Sequence, residues 1–249
     1  MDKHLFGHVL RFMEYTKILD LLLKILLRIK KGLAIIVLHN VGKYSKDFPW
    51  LYMKPFDFSF FERMLRYLTR EFEFISIEDF LKLIYNEGEV RRLFVSLTFD
   101  DPYRSNIKYA VPLLREFNIR ATFYIPFGFV EDRRLPWWEE IAYILHHTKS
   151  QKINVLGHSI FIANSSDRKR ALRFLVNLCR RSDKEKINLM LQELRTQSSV
   201  EVTKQVVEDI VMDISDIQML LNYGMYLGGH TIWHLSLPNI SYQQAEKEL

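Results

Sequence analysis

Two short stretches hold residue types that could do chemistry together. The first is Thr98-Phe99-Asp100-Asp101, closing an apolar run that begins at Leu93. The second is His230-Thr231-Ile232-Trp233-His234, directly after Met225 to Gly229. Adjacent carboxylates repel each other, and the arrangement persists best beside a cation. Two imidazoles four residues apart can converge on one metal ion. Asp101, His230 and His234 would supply one oxygen and two nitrogens, a set that leaves positions open for water and substrate. Asp100 would then stand beside the ion, free to take a proton. A plainer reading stands next to this one. Asp101 precedes Pro102, and Asp as N-cap with Pro at the first helical position is a common helix start.

The elements around these stretches alternate between strand and helix. Leu33 to His39 reads as a buried strand, β-branched and uninterrupted. Ser59 to Arg70 has helical spacing, Phe72 to Ile77 reads as a short strand, and the helix opening at Ile77 ends near Gly88. Leu93 to Phe99 is again a continuous apolar strand. A helix carrying Ile107, Ala110, Val111, Leu114 and Phe117 follows, then a strand from Ala121 to Ile125. This order predicts parallel strands joined by helical crossovers, hence a barrel or an open α/β sheet. Both chemistry-bearing stretches fall just past the C-terminal end of a strand, where α/β folds place their sites.

From about 127 to 212 the rhythm changes. A helix begins at Trp137-Trp138-Glu139-Glu140-Ile141, a small hairpin is centred on Gly157, and Ser166 to Arg181 and Asp183 to Arg195 read as exposed amphipathic helices. The block is expected to be an insertion layered on the main fold. Beyond it, Asp213 or Ser215 caps a helix that stops at Gly224, Met225 to Gly229 forms a strand, and Ser241 caps a last helix.

Composition sets the frame. The chain has 249 residues, with 18 Phe and 12 Tyr but only 9 Gly and 7 Pro, enough for one large, well-filled α/β domain. A formal charge of +5 suits an anionic glycan or an anionic membrane surface and is too weak to argue for nucleic acid. The one cysteine, Cys179, cannot form an internal disulfide. That points to a cytoplasmic, reducing setting, with Cys179 as a small buried apolar residue. Residues 1–31 read as a basic amphipathic helix region. Its apolar run is broken by Asp20 and Lys24, too short and interrupted for a membrane span. It either covers one end of the domain or lies at a membrane surface, giving peripheral membrane contact.

The two motifs together resemble the polysaccharide deacetylases of the NodB-homology group, carbohydrate esterase family 4. That family's Thr-Phe-Asp-Asp element is matched at Thr98 to Asp101, and its His-Ser/Thr-x-x-His element at His230 to His234. Val37-Leu38-His39-Asn40-Val41 is similar to an early element of the family, and Ile119 to Ile125 to the strand after the first motif. The resemblance runs from about Leu33 onward, apart from the insertion. It implies an α/β fold, a distorted, incomplete (β/α) barrel of the polysaccharide deacetylase type with a mainly helical insertion, over residues 32–249. It further implies a hydrolase that removes N-acetyl groups from an amino-sugar polysaccharide or its precursor. Asp100 would be the catalytic base. Asp101, His230 and His234 would hold a divalent metal, usually zinc, and Thr231 would tie down the second motif by hydrogen bonding.

Two departures stand out. Pro102 occupies the place of the family's Gly, which as a helix start is expected to be tolerated. The family's later motifs have no counterpart before Leu249, so the late barrel strands are expected to be absent and turnover impaired, with a glycan-binding or scaffold remnant as the alternative. Three further residues are candidates for lining the site. His39 ends the first strand, with a hydrogen-bonded role under the barrel rim as its plainer reading. Trp137 and Trp138 could form a sugar-stacking platform or, alternatively, pack as interface core. His146, His147 and His158 lack acidic company and read as surface residues.

Overall fold

The computed structural model describes residues 31–43, 48–87 and 89–249. The expected N-terminal helix, and the membrane contact assigned to it, therefore lie outside the described residues apart from Lys31. No helix among the described residues is long and apolar enough to cross a membrane.

The main layer is a parallel sheet. Its strands are β1 (Gly32–Leu38), β4 (Glu73–Phe74), β5 (Leu93–Asp100), β6 (Thr122–Ile125) and β9 (Tyr226–Gly229). The order is β1-β5-β6-β9, with β4 pairing the first half of β5. Two minor pairs complete the strands: β2 (Val41–Gly42) with β3 (Phe56–Asp57), and the hairpin β7 (Lys152–Val155) with β8 (His158–Phe161). The strand expected from Phe72 to Ile77 is reduced to β4, because Ser76 instead starts the next helix and accepts from Asp79 N at 3.0 Å.

Strand alternation divides the sheet into two faces. Leu38, Leu97, Phe99, Phe123 and Ile125 point to one side. There they pack with Phe61 and Leu65 of α1 (Phe58–Glu71) and with Ala110, Val111 and Leu114 of α3 (Ser105–Glu116). Phe99 and Phe123 stack with centroids 4.7 Å apart. The opposite face carries Val37, Thr98, Asp100, Thr122, Tyr124 and Gly228, which the register sets side by side. α2 (Ile77–Glu87) reaches this face through Glu78, which accepts from the Thr122 hydroxyl at 3.0 Å. Gly228 is needed here, since a Cβ would lie 2.4 Å from the Tyr124 ring. Among the described residues no strand joins β9 back to β1, so the barrel stays open.

The block between β6 and β9 is mainly helical. It contains α4 (Phe127–Glu131), α5 (Trp137–His147), α6 (Ser165–Cys179), α7 (Lys184–Ser198) and α8 (Lys204–Ile210), besides the hairpin. It has its own core, with Phe129, Trp137, Trp138, Ile141, Leu175, Met190 and Leu191 among its members. Trp233 of the second motif and Leu235 just after it pack into that same core. After it come α9 (Ile214–Asn222) and α10 (Tyr242–Glu248). Asp213, not Ser215, caps α9, in a reciprocal arrangement with Asp216. Gly224, at φ +75°, stops it. Ser241 caps α10 together with Gln244.

Candidate metal and catalytic site

The parallel register brings the ends of β1, β5, β6 and β9 to one rim, and the two motifs meet there. One ligand-capable atom each from Asp101, His230 and His234 lies within 4.8 Å of the others. His234 Nε2 is 3.7 Å from Asp101 Oδ1, too long for a hydrogen bond. That oxygen is buried with no hydrogen-bond partner, in a residue only 3 % exposed. An orphaned carboxylate oxygen facing two imidazoles is costly unless a cation fills the gap between them.

The backbone is strained at the same place. Asp101, Thr231 and His234 have φ of 72°, 58° and 55°. Asp and His tolerate this left-handed region, but a β-branched residue there is an outlier. Such conformations persist when the surroundings over-determine them. Asp101 N donates to Tyr124 O at 3.0 Å, Met212 N to Pro102 O at 2.8 Å and Arg104 N to Ile210 O at 2.8 Å. The end of the helical block therefore clamps the segment after β5. Asp101 is not a helix cap, because α3 begins at Ser105 with Arg104 at the N-cap. Pro102 likewise does not start a helix; its carbonyl joins the clamp.

The second motif is held by contacts that sequence reading missed. Glu248 is buried and accepts from Ile232 N at 3.1 Å and Trp233 N at 2.8 Å. Gly128 N donates to Ile232 O at 3.0 Å. A Cβ on Gly128 would sit 2.8 Å from that oxygen and from Trp233 Cε2, so the close approach requires glycine. The role expected of Thr231 is corrected, since its buried hydroxyl makes no hydrogen bond. The loop is tied by a carboxylate brought from α10 instead.

Electrostatics follow from burial. Desolvation first, then Asp100 and Glu139, push the Asp101 carboxyl up to about 8. Burial, reinforced by His230, brings His234 down to about 4. His230 is lowered mainly by burial, with Asp100 opposing, so both imidazoles favour the neutral form that metal ligation needs. Asp100 is raised by burial, and its neighbours His230 and His39 pull it back. His39 thus faces the same rim, while its carbonyl accepts from Asn106 Nδ2 at 2.6 Å.

Trp137 and Trp138 are 5 % and 4 % exposed, which corrects the sugar-platform reading, because neither offers an open ring face. Trp138 instead lies beneath His234, centroids 4.7 Å apart. His146, His147 and His158 are exposed, as expected. Cys179 is buried, its thiol pushed up to about 12 by desolvation, a packing residue with little thiolate character.

Comparison with known proteins bears on the fold. The polysaccharide deacetylase family model matches residues 87–161, a span that contains the first motif. No curated protein matches the sequence. The Streptococcus pyogenes deacetylase PplD, solved in complex with acetate, superposes with a TM-score of 0.51 at 15 % identity, covering 88 % of this chain and 64 % of that one. A polysaccharide deacetylase from Bacillus cereus gives a TM-score of 0.46 at 14 % identity, covering 88 % and 44 %. The chain therefore spans under two thirds of the length of these solved structures. It has the α/β fold of a polysaccharide deacetylase, and its residues 87–161 match that family.

Proposed function

We propose that the protein is a metal-dependent hydrolase that removes N-acetyl groups from an amino-sugar polysaccharide or its precursor. The observation that carries this reading is the buried, partnerless Asp101 oxygen facing His230 and His234. One carboxylate and two neutral imidazoles fit a divalent ion, with zinc the first choice for this donor set. Such an ion would act as a Lewis acid, acidifying water and polarising an acetamide carbonyl.

The chain's own residues divide the remaining work. Asp101, His230 and His234 hold the cation. Asp100 is half-buried beside His230 and His39 and outside the three-residue cluster, which leaves its carboxylate free to accept a proton from the attacking water. A positioned base of this kind contributes about 10²–10⁴ in rate. Glu248 and Gly128 hold the second motif in register with the first.

A second reading, a glycan-binding or scaffold protein without turnover, is favoured by the absence, among the described residues, of a strand beyond β1 or β9. Acetate release from an N-acetylglucosamine oligomer separates the two. The hydrolase reading expects zinc-dependent release that Asp100→Asn lowers by at least about 10²-fold. Oligomer binding without acetate release, at any divalent cation supplied, sinks it and leaves the second.

A further inference from the structure

One fully buried carboxylate is neither a candidate ligand nor the candidate base. Glu139, in the first turn of α5, is 0 % exposed. Its Oε1 accepts from Tyr103 Oη at 2.6 Å and Met53 N at 2.9 Å, and its Oε2 from Tyr52 N at 2.7 Å. Two of these three groups are backbone amides, which can only donate, so a protonated oxygen would set donor against donor. The surroundings suit an ionised carboxylate.

Two paths lead from Glu139 to the cation cluster. Tyr103 lies two residues after Asp101, and its backbone bridges to Val211 within the clamp. The Tyr103 hydroxyl also accepts from Trp138 Nε1 at 2.9 Å, and the Trp138 ring lies against His234. Asp100, Asp101 and Glu139 thus form one acidic group, and the two others both add to the burial that raises Asp101. The neighbouring Glu140 has Arg195 at 2.5 Å. Among the described residues Glu139 forms no ion pair; burial pushes its carboxyl up, and the bonds from Tyr103, Met53 and Tyr52, then the Lys54 ammonium, pull it back toward the charged form. An apolar side chain would fill the same space without the desolvation cost.

We propose that Glu139 is the outer carboxylate of the cation site, a positioning residue that orients Asp101 through Tyr103 and His234 through Trp138 and strengthens binding of a divalent cation. This rests on the reading of Asp101, His230 and His234 as ligands. Partners that orient metal ligands typically change affinity by about 10–100-fold.

The test uses the full chain stripped with chelator. Zn²⁺ binding is measured by calorimetry and Co²⁺ binding by its visible absorption bands. Glu139→Gln is expected to bind both ions about 10–100-fold more weakly, with altered Co²⁺ bands, while Glu139→Asp, which keeps the charge, recovers part of the loss. A purely packing role would lower the melting temperature and leave affinity and bands unchanged; that result, in folded Glu139→Gln, overturns the inference. Should Glu139→Gln fail to fold, Tyr103→Phe keeps the packing and cuts the link, and it is expected to weaken binding several-fold; wild-type affinity there overturns the inference equally. A wild-type chain that binds neither ion overturns the ligand reading and this inference with it. Normal wild-type binding with unaffected variants sinks the inference alone.

Discussion

The two flanks of the site are built differently. On the flank of β9 and α5, Trp138 lies under His234, Phe129 meets both Trp138 and Trp233 edge-on, and Glu248 holds the loop amides. On the flank of β1, Ile35 and Val37 are 48 % and 52 % exposed, with no further strand beside them among the described residues. The packed flank concentrates buried acids, left-handed backbone and aromatic support in one place, which only a well-filled core sustains. The open flank has little to lose. Where donors must converge, this fold spends stability; at β1, where no further strand pairs among the described residues, it tolerates exposure.

The largest effect should come from Asp101 itself. Its carboxyl is pushed up to about 8 by burial and its acidic neighbours, whereas a free Asp titrates near about 3.9. Below the free value both folded and unfolded chains hold the proton, so the group costs nothing. Between the two values the unfolded chain gives the proton up and the folded chain keeps it, so stability falls as pH rises, and the penalty is complete above the folded value. In chelator-treated protein, Asp101→Asn should therefore be more stable than wild type near pH 8 and nearly equal to it near pH 4. It should also lose zinc-induced stabilisation altogether. Melting curves at both pH values, with and without Zn²⁺, check this. A variant that is less stable at the higher pH, or still stabilised by zinc, would remove the contrast between the flanks.

Much of this arrangement was legible in the sequence. Uninterrupted apolar runs at Leu33 to His39 and Leu93 to Phe99 marked the strands, and the two motifs at their ends marked the rim. Strand ends are local features, and a parallel sheet brings them together whatever lies between. The supports were not legible. Glu139 reads as an ordinary acidic residue in a helix's first turn; its donors Tyr52 and Met53 lie 87 and 86 residues earlier. Glu248 reads as solvated helix surface, yet it reaches back to the second motif. Asp101 before Pro102 has the local signature of a helix cap, and tertiary clamping by Ile210 and Met212 overrides it. Thr231 carries a hydroxyl suited to a loop bond, yet in the folded chain that hydroxyl is buried without a partner.

The packed flank can be sharpened at Gly128. Its φ is not in the left-handed region, so alanine is permitted by the backbone, and the added Cβ meets only the second motif, 2.8 Å from Ile232 O. Gly128→Ala is expected to cost about 1–3 kcal/mol, as overpacking does. By shifting the His230–His234 loop it should also weaken Zn²⁺ binding by roughly tenfold. Urea unfolding of the metal-free protein and calorimetry read the two effects separately. Stability lost with affinity intact would mean that Gly128 shapes the core and not the ligand loop.

The smallest effect is expected on the open flank. Val37→Thr preserves shape and replaces a methyl by a hydroxyl. In a buried core that exchange leaves a polar group without a partner and costs about 1–3 kcal/mol. At an exposed position on β1, water satisfies the hydroxyl, and surface exchanges stay within about 0.5 kcal/mol. Val37 is 52 % exposed, and Thr keeps the β-branched shape that strands favour. The urea midpoint should therefore barely move, with the slope unchanged. A loss above about 1 kcal/mol would place Val37 in an interior. The inner face of β1 would then be covered in solution, and the two flanks would be alike.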